Sequence, residues 1–281
     1  MANAVFLAVL FAAACHAGWN TLIKIGLDPL STTALISLGS GVVALVLLPL
    51  VGMPAASAWP WLVASVFIHL VYFASLIESY RAGDLGQVYP IARGSAPLMT
   101  AAAATVAVGE KLAFVGWVGI VALVAGVVLL SVRGGRDLTR VSMRAVGFAL
   151  FTALTICAYS VVDGIGVRLA GDSSAYSLTL FVGMAAVVVF YALMRDGKAV
   201  LLATRRNWAR GFAGGGLQVL SYGIALWAMT VAPIAVVAAL RETSVLFGAA
   251  IAVVVLKEPL RAARIAAALL IVCGLVLIRL Q

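Results

Sequence analysis

One stretch of this chain occurs twice. Tyr89-Pro90-Ile91-Ala92-Arg93-Gly94-Ser95 runs on to Gly109-Glu110-Lys111-Leu112 and then to an apolar run carrying Gly126. Val237-Ala238-Ala239-Leu240-Arg241-Glu242-Thr243 runs on to Lys257-Glu258-Pro259-Leu260 and to an apolar run carrying Gly274. Arg93 and Arg241, Glu110 and Glu258, and Gly126 and Gly274 are each 148 residues apart. One offset shared by an Arg, a loop Glu and a Gly marks an internal duplication. Whatever residues 1–132 build, residues 145–281 must build again, with 133–144 as a basic connecting loop.

The material being duplicated is apolar. Hydrophobic residues make up 64% of the chain and charged residues 10%, against about 25% charged in soluble domains. Charge-free runs such as Leu112 to Val132 and Gly211 to Leu240 are long enough to cross a bilayer as helices, which takes about 20 residues. They do not alternate as the strands of a membrane barrel would. The expectation is an all-α membrane protein with spans at 4–24, 31–51, 59–80, 86–108 and 113–132, then at 145–167, 175–194, 208–230, 233–255 and 262–280. An odd number of spans per repeat makes the two repeats an inverted pair. Carriers built that way hold substrate near the midplane, between the repeats.

The net charge of +9 does not point to nucleic acid, because the Lys and Arg sit between apolar runs as loop charges that set topology. Fourteen of them, including Lys24, Arg81, Arg133, Arg195 and Lys257, fall in connections after odd-numbered spans; Lys111, Arg168 and Arg279 fall on the other side. The positive-inside rule then puts both termini outside the cytoplasm. Val5 to Ala14 imitates a signal-peptide core, but no Lys or Arg precedes it, and Trp19, Asn20 and Lys24 follow where small cleavage-site residues belong. It reads as a mature first span.

Arg93 and Arg241 lie about eight residues into their spans, roughly 12 Å from the helix start. Too deep to snorkel easily, such residues mark a functional site. Two guanidiniums on opposite walls of one cavity suit a carboxylate, phosphate or phosphonate; the bland alternative is that each ties helices together through carbonyls or an acid such as Glu242. His16, Trp19 and Asn20 share a helical face, as do His69, Tyr72 and Phe73, and Gln218 and Tyr222. These polar-aromatic faces look inward, so substrate contact is expected from His16, Trp19, Asn20, Tyr72, Tyr89, Gln218 and Tyr222 beside the two Arg. Asp163 and Glu242 are the acids deepest in the spans. They are candidates for a coupling proton, and Glu242 equally for a charge partner of Arg241.

Other chemistries find little support. Cys15, Cys157 and Cys273 lie in apolar spans without metal-ligand spacing and are expected to be buried thiols; two His without paired carboxylates make no metal site. Gly214-Gly215-Gly216 lacks the Lys and Ser or Thr of a phosphate loop, so no nucleotide motor is encoded and no cofactor is expected. The expected partners are a small-molecule substrate and the lipid bilayer, with a homodimer as an open option. The rival class is a membrane-embedded enzyme or a non-transporting scaffold subunit. An enzyme should display a nucleophile with its base, or clustered carboxylates with His, and the sequence displays neither.

His16-Ala17-Gly18-Trp19-Asn20, the Gly109-Glu110-Lys111-Leu112 turn before a Gly-bearing span, and its echo at Lys257-Glu258-Pro259-Leu260 resemble the EamA domains of the drug/metabolite transporter superfamily, two in tandem over essentially the whole chain. The resemblance implies ten helices in two inverted five-helix repeats around a central cavity lined by the first, third and fourth helices of each half. It also implies transport of amino acids, sugar phosphates or other small metabolites without ATP, in a bacterial inner membrane. Tyr89 to Gly94 and Leu240-Arg241-Glu242-Thr243-Ser244 are similar to a bacterial branch, some of whose members accompany phosphonate-utilisation genes. Typical family members are basic between spans two and three and keep both termini cytoplasmic. This chain has no Lys or Arg there, and the charge count is the reading retained.

Overall fold

A computed structural model describes residues 1–23, 29–82, 85–132, 143–254 and 262–280. The described residues form helices and no strand: α1 Asn3–Ile23, α2 Pro29–Val51, α3 Trp59–Ala82, α4 Leu85–Ala103, α5 Phe114–Val132, α6 Met143–Leu169, α7 Ser173–Asp196, α8 Lys198–Val231, α9 Ile234–Arg241, α10 Ser244–Val254 and α11 Ala262–Arg279. Backbone groups find no partner in hydrocarbon, so a spanning chain must close its hydrogen bonds within itself, and helices do so. Nine stretches among the described residues are long and apolar enough to cross a membrane, and Phe114–Leu130 in α5 is a slightly shorter tenth. Outward-facing Leu7, Phe11, Leu45, Phe67, Val121, Phe190 and Leu269 are exposed, as a lipid-facing surface requires.

Helix ends carry the expected punctuation. Pro29 opens α2 and Pro233 precedes α9. Gly109, Gly171 and Gly197 take positive φ after their helices, a conformation that costs glycine little. Asp172 caps α7 by accepting from the N–H of Ser174 and Ala175 at 2.7 and 2.9 Å. The Gly83-Asp84 turn, Lys24 and the Lys257 to Leu260 turn lie outside the described residues.

Three spans depart from simple rods. The fourth ends in a π-helical turn, Ala104–Val108. The eighth, expected at 208–230, is preceded by a helix that joins it across a kink at Asn207, whose φ and ψ of −123° and 19° are not helical. The ninth, expected as continuous, is interrupted. The N–H groups of Glu242 and Thr243 bond three residues back, to Ala239 and Leu240, and those of Val245 and Leu246 do the same. This tight 3₁₀ turn separates α9 from α10.

The chain forms two compact units, one of residues 1–10, 71–161 and 232–281, the other of 11–70 and 162–231. Each takes segments from both sequence repeats.

In the first unit α5 and α11 pack backbone to backbone. A Cβ on Gly126 would stand 2.9 Å from Ala267 O and Ile271 N; one on Gly274 would stand 2.6 Å from Leu123 N and 2.7 Å from Gly119 O. The duplicated glycines therefore serve close helix approach. Gly274 faces α5, which turns its neighbour Cys273 outward: Cys273 is exposed, contrary to the expectation of three buried thiols, whereas Cys15 and Cys157 are buried. Gly248 meets nothing within 4 Å of a built Cβ and Ala266 is exposed, so these two small residues do not serve packing here. Arg279 at the end of α11 donates to Asn3 Oδ1 and lies over the Phe6 ring at 5.0 Å. The two chain ends therefore lie on one side of the membrane.

In the second unit α2 packs on α7 and α8. A Cβ on Gly39 would stand 2.2 Å from Gly211 O, and one on Gly215 would stand 2.2 Å from Ser40 N. Ser221 on α8 donates to the Ala12 carbonyl of α1 at 2.7 Å.

Candidate functional site

The site builds up from three helices of the first unit. On α4, Arg93, Ala96, Pro97 and Thr100 follow the i, i+3, i+4, i+7 spacing of one face; on α6, Ile156, Tyr159 and Ser160 follow i, i+3, i+4. Ala238, Arg241 and Glu242 complete the ring at the C-terminal end of α9, and together these ten residues line one cavity. Its volume is about 10 Å³, room for about one water. Pro97 has no N–H, so it supplies no helical donor to the Arg93 carbonyl four residues back.

Arg93 is 7% exposed and Glu242 4%. The Arg93 Nε stands 3.0 Å from Glu242 Oε2. The Nε N–H itself is not aligned for a hydrogen bond. Arg93 Nη2 also reaches Ser244 Oγ at 3.5 Å. Glu242, a candidate for the coupling proton and equally for a charge partner of Arg241, has the 3.0 Å contact with the duplicated Arg93 and also interacts electrostatically with Arg241. The half-buried Arg241 lines the same cavity. Two guanidiniums and one carboxylate leave the lining with one net positive charge.

The remaining predicted contacts divide by unit. Tyr72 packs edge-on against Tyr159 of the cavity wall, ring centroids 5.7 Å apart. The side chain of Tyr89 lies outside the described residues. His16, Trp19 and Asn20 belong to the second unit, where the rings of His16 and Trp19 meet edge-on at 5.0 Å and Asn20 Nδ2 donates to the His16 carbonyl at 2.8 Å. Gly18 approaches Leu217, so α1 and α8 touch there; Trp19 Nε1 and Gln218 Oε1 on these helices are buried without a hydrogen-bond partner among the described residues. Tyr222 donates to Asp163 Oδ2 at 2.5 Å. Among the described residues no group of three His, Cys, Asp or Glu is placed to hold a metal ion.

Sequence reasoning missed Thr100, Tyr159 and Ser160 on the cavity wall. The signal available was their spacing: Tyr159-Ser160 is a polar pair in an apolar span, and Thr100 lies seven residues from Arg93. It also passed over Glu110, read only as a loop marker. Glu110 Oε1 accepts from the N–H of Ile234 at 2.7 Å and Oε2 from that of Ala235 at 3.2 Å. Both are unpaired donors of the first turn of α9, so the carboxylate caps the helix that carries Arg241.

The sequence profile of the EamA-like transporter family matches the chain twice, over residues 3–132 and 143–280. No curated protein matches it. Among solved structures 29 chains match. One, described only as a crystal structure of a protein, superposes with a TM-score of 0.77, covering 98% of this chain and 95% of its own at 17% identity. A likeness at that identity speaks for the fold alone. With two profile matches that together span nearly all of its residues, and apolar helices enough to cross a membrane nine or ten times, this multi-pass membrane protein belongs to the EamA-like transporter family of the drug/metabolite transporter superfamily.

Proposed function

We propose that the chain is a secondary carrier of a small anionic or zwitterionic metabolite, an amino acid or a phosphonate in class, working by alternating access in a bacterial inner membrane. The observation that carries this reading is the joint lining of one cavity by Arg93, Arg241 and Glu242. A bidentate guanidinium is the group of choice for a carboxylate or phosphonate, and two of them line this cavity. In a substrate-free site, Glu242 takes the place beside Arg93 that a substrate anion would take. An amino acid suits the set as well, its carboxylate on the arginines and its ammonium on Glu242.

A cavity with room for one water must widen before it admits an amino acid. The 3₁₀ turn at Glu242 and Thr243 is where the ninth span bends for that, since such turns absorb hinge motion. Five spans per repeat, an odd number, bring the second repeat into the membrane from the opposite side, the arrangement on which rocking carriers depend.

Thermal-shift screening of the purified protein against phosphonates and amino acids, followed by flux of the best ligand into proteoliposomes, tests the reading. A ligand-dependent rise in melting temperature and saturable flux are expected. Stabilisation only by cationic or uncharged solutes would overturn it.

A further inference from the structure

We propose that the seam between α3 and α6 is the passage by which substrate reaches the arginine cavity from the side of the membrane away from the chain ends, closed at its outer end by a cluster of alanines. This passage rests on the carrier reading, and all of its residues belong to the first unit. Tyr72, Ser75 and Ser79 on α3 follow i, i+3, i+7, and so do Thr152, Thr155 and Tyr159 on α6. Each set is therefore a single stripe of hydroxyls along its helix. The stripes face each other in antiparallel order: Tyr72 meets Tyr159 edge-on, and Thr152 Oγ1 donates to Ser75 Oγ at 3.2 Å. Tyr159 is at once the inner end of the seam and part of the cavity wall.

Packing accounts for the link from Ser75 to Thr152 but not for the rest of the stripes. Ser79 and Thr155 are buried, and their hydroxyls donate to carbonyls of their own helices, Leu76 at 2.8 Å and Thr152 at 2.7 Å. A hydroxyl bonded in this way keeps its bond when the helices part, and its oxygen can still accept from water or substrate. Nor do α3 and α6 approach as α5 and α11 do, through glycines that seat one backbone against the other. They meet through side chains, and interhelical hydroxyl bonds are weak in a bilayer. The seam can open without stranding a polar group, and it is polar once open.

Two features mark its outer end. Ala82 of α3, Ile91 and Ala92 of α4, and Ala145 and Ala149 of α6 form one apolar cluster, a seal of mostly small side chains that do not interlock. Ala92 directly precedes Arg93, so a movement of α4 that parts the seal also moves the guanidinium. Beyond the cluster stand Arg81 in the last turn of α3, paired with Glu78 at 2.6 Å, and Arg144 in the first turn of α6, its guanidinium over the Phe148 ring at 5.7 Å. Arg81 and Arg144 against Glu78 leave this mouth net positive, which concentrates anions there. The path of an anion runs from these arginines, past the alanines and between the hydroxyl stripes, to Arg93 and Arg241.

Cysteine accessibility tests the passage without a substrate. In the full-length protein in lipid vesicles, with Cys15, Cys157 and Cys273 replaced by alanine, single variants Ser75→Cys, Ala149→Cys and Thr152→Cys should react with a membrane-impermeant anionic methanethiosulfonate from the side of Arg81 and Arg144 alone. Leu154→Cys, exposed on the outer face of α6 between the same two helical turns, should stay unlabelled. If the cysteine-free background fails to fold, labelling above that of Cys273→Ser decides instead. Ser75→Cys combined with Thr152→Cys, oxidised to a disulfide by copper phenanthroline, should lose flux of the ligand found by thermal shift and regain it on reduction. Missing label at Ser75→Cys and Thr152→Cys, equal label at Leu154→Cys, or a disulfide that leaves flux unchanged overturns the passage. Label confined to the seam in a protein that moves no phosphonate or amino acid upholds the passage and overturns the substrate class instead.

Discussion

Arg93 on α4 and Glu242 at the end of α9, 149 positions apart in the chain, face each other at 3.0 Å inside the first unit, both almost wholly buried. A buried pair of this kind returns little net stability, because desolvation offsets its attraction. Its interest lies in what can replace the carboxylate.

Glu242→Gln leaves Arg93 without its resident anion. If Glu242 competes with substrate for that guanidinium, a phosphonate without an amine binds about tenfold more tightly in the variant, the worth of one charged hydrogen bond, while the melting temperature without ligand falls. An amino acid gains less, since its ammonium loses a partner. Titration calorimetry with both ligands checks the split; equal weakening of both shows that Glu242 only shapes the site.

Glu110→Ala should cost about 0.5–2 kcal/mol by uncapping the first turn of α9, and slow transport more than it weakens binding, because the capped helix carries Arg241. Glu110→Gln keeps the shape and loses the charge, so it should fall between. Thermal melts with initial rates in proteoliposomes measure both. A rate unchanged in the alanine variant contradicts a role for the cap in transport.

Gly274→Ala places a methyl 2.6 Å from the Leu123 backbone nitrogen, so α5 and α11 must separate, at about 1–3 kcal/mol for overpacking. Gly248→Ala, in open space, should instead be neutral or stabilising by up to about 1 kcal/mol. Melting curves in detergent should therefore order the variants Gly248→Ala, parent, Gly274→Ala. The reverse order contradicts the packing.

Both termini lie on one side, and the prediction from the Lys and Arg count is that this side is the non-cytoplasmic one. A reporter active only in the cytoplasm, fused after Gln281, should stay dark. Activity there means that the orientation typical of family members holds for this chain too.

The spans were legible because a bilayer demands about 20 apolar residues and tolerates few charges between loops, and because the 148-residue offset ties one half to the other. The interruption at Glu242 and Thr243 was not: it contains no Pro or Gly, and apolar windows do not sense whether an N–H bonds three or four residues back. Arg93 and Arg241 stood out by the cost of burying a guanidinium. Tyr159 and Thr100 did not, since a hydroxyl in a span can bond to its own helix, as Thr100 does to the Ala96 carbonyl at 2.8 Å. Periodicity located the faces of α1 and α8, while which unit each face serves depends on tertiary packing.

The duplicated arginines carry the central claim, and ligand affinity in their variants tests it most directly. With the phosphonate or amino acid that most stabilises the parent, Arg93→Ala and Arg241→Ala should each weaken binding by about 1.5–3 kcal/mol, the loss of a charged hydrogen bond. Arg→Lys at either position keeps the charge without the planar fork and should weaken it less. If both alanine variants bind and transport as the parent does while losing only thermal stability, the arginines are helix ties and the anionic substrate class loses its support.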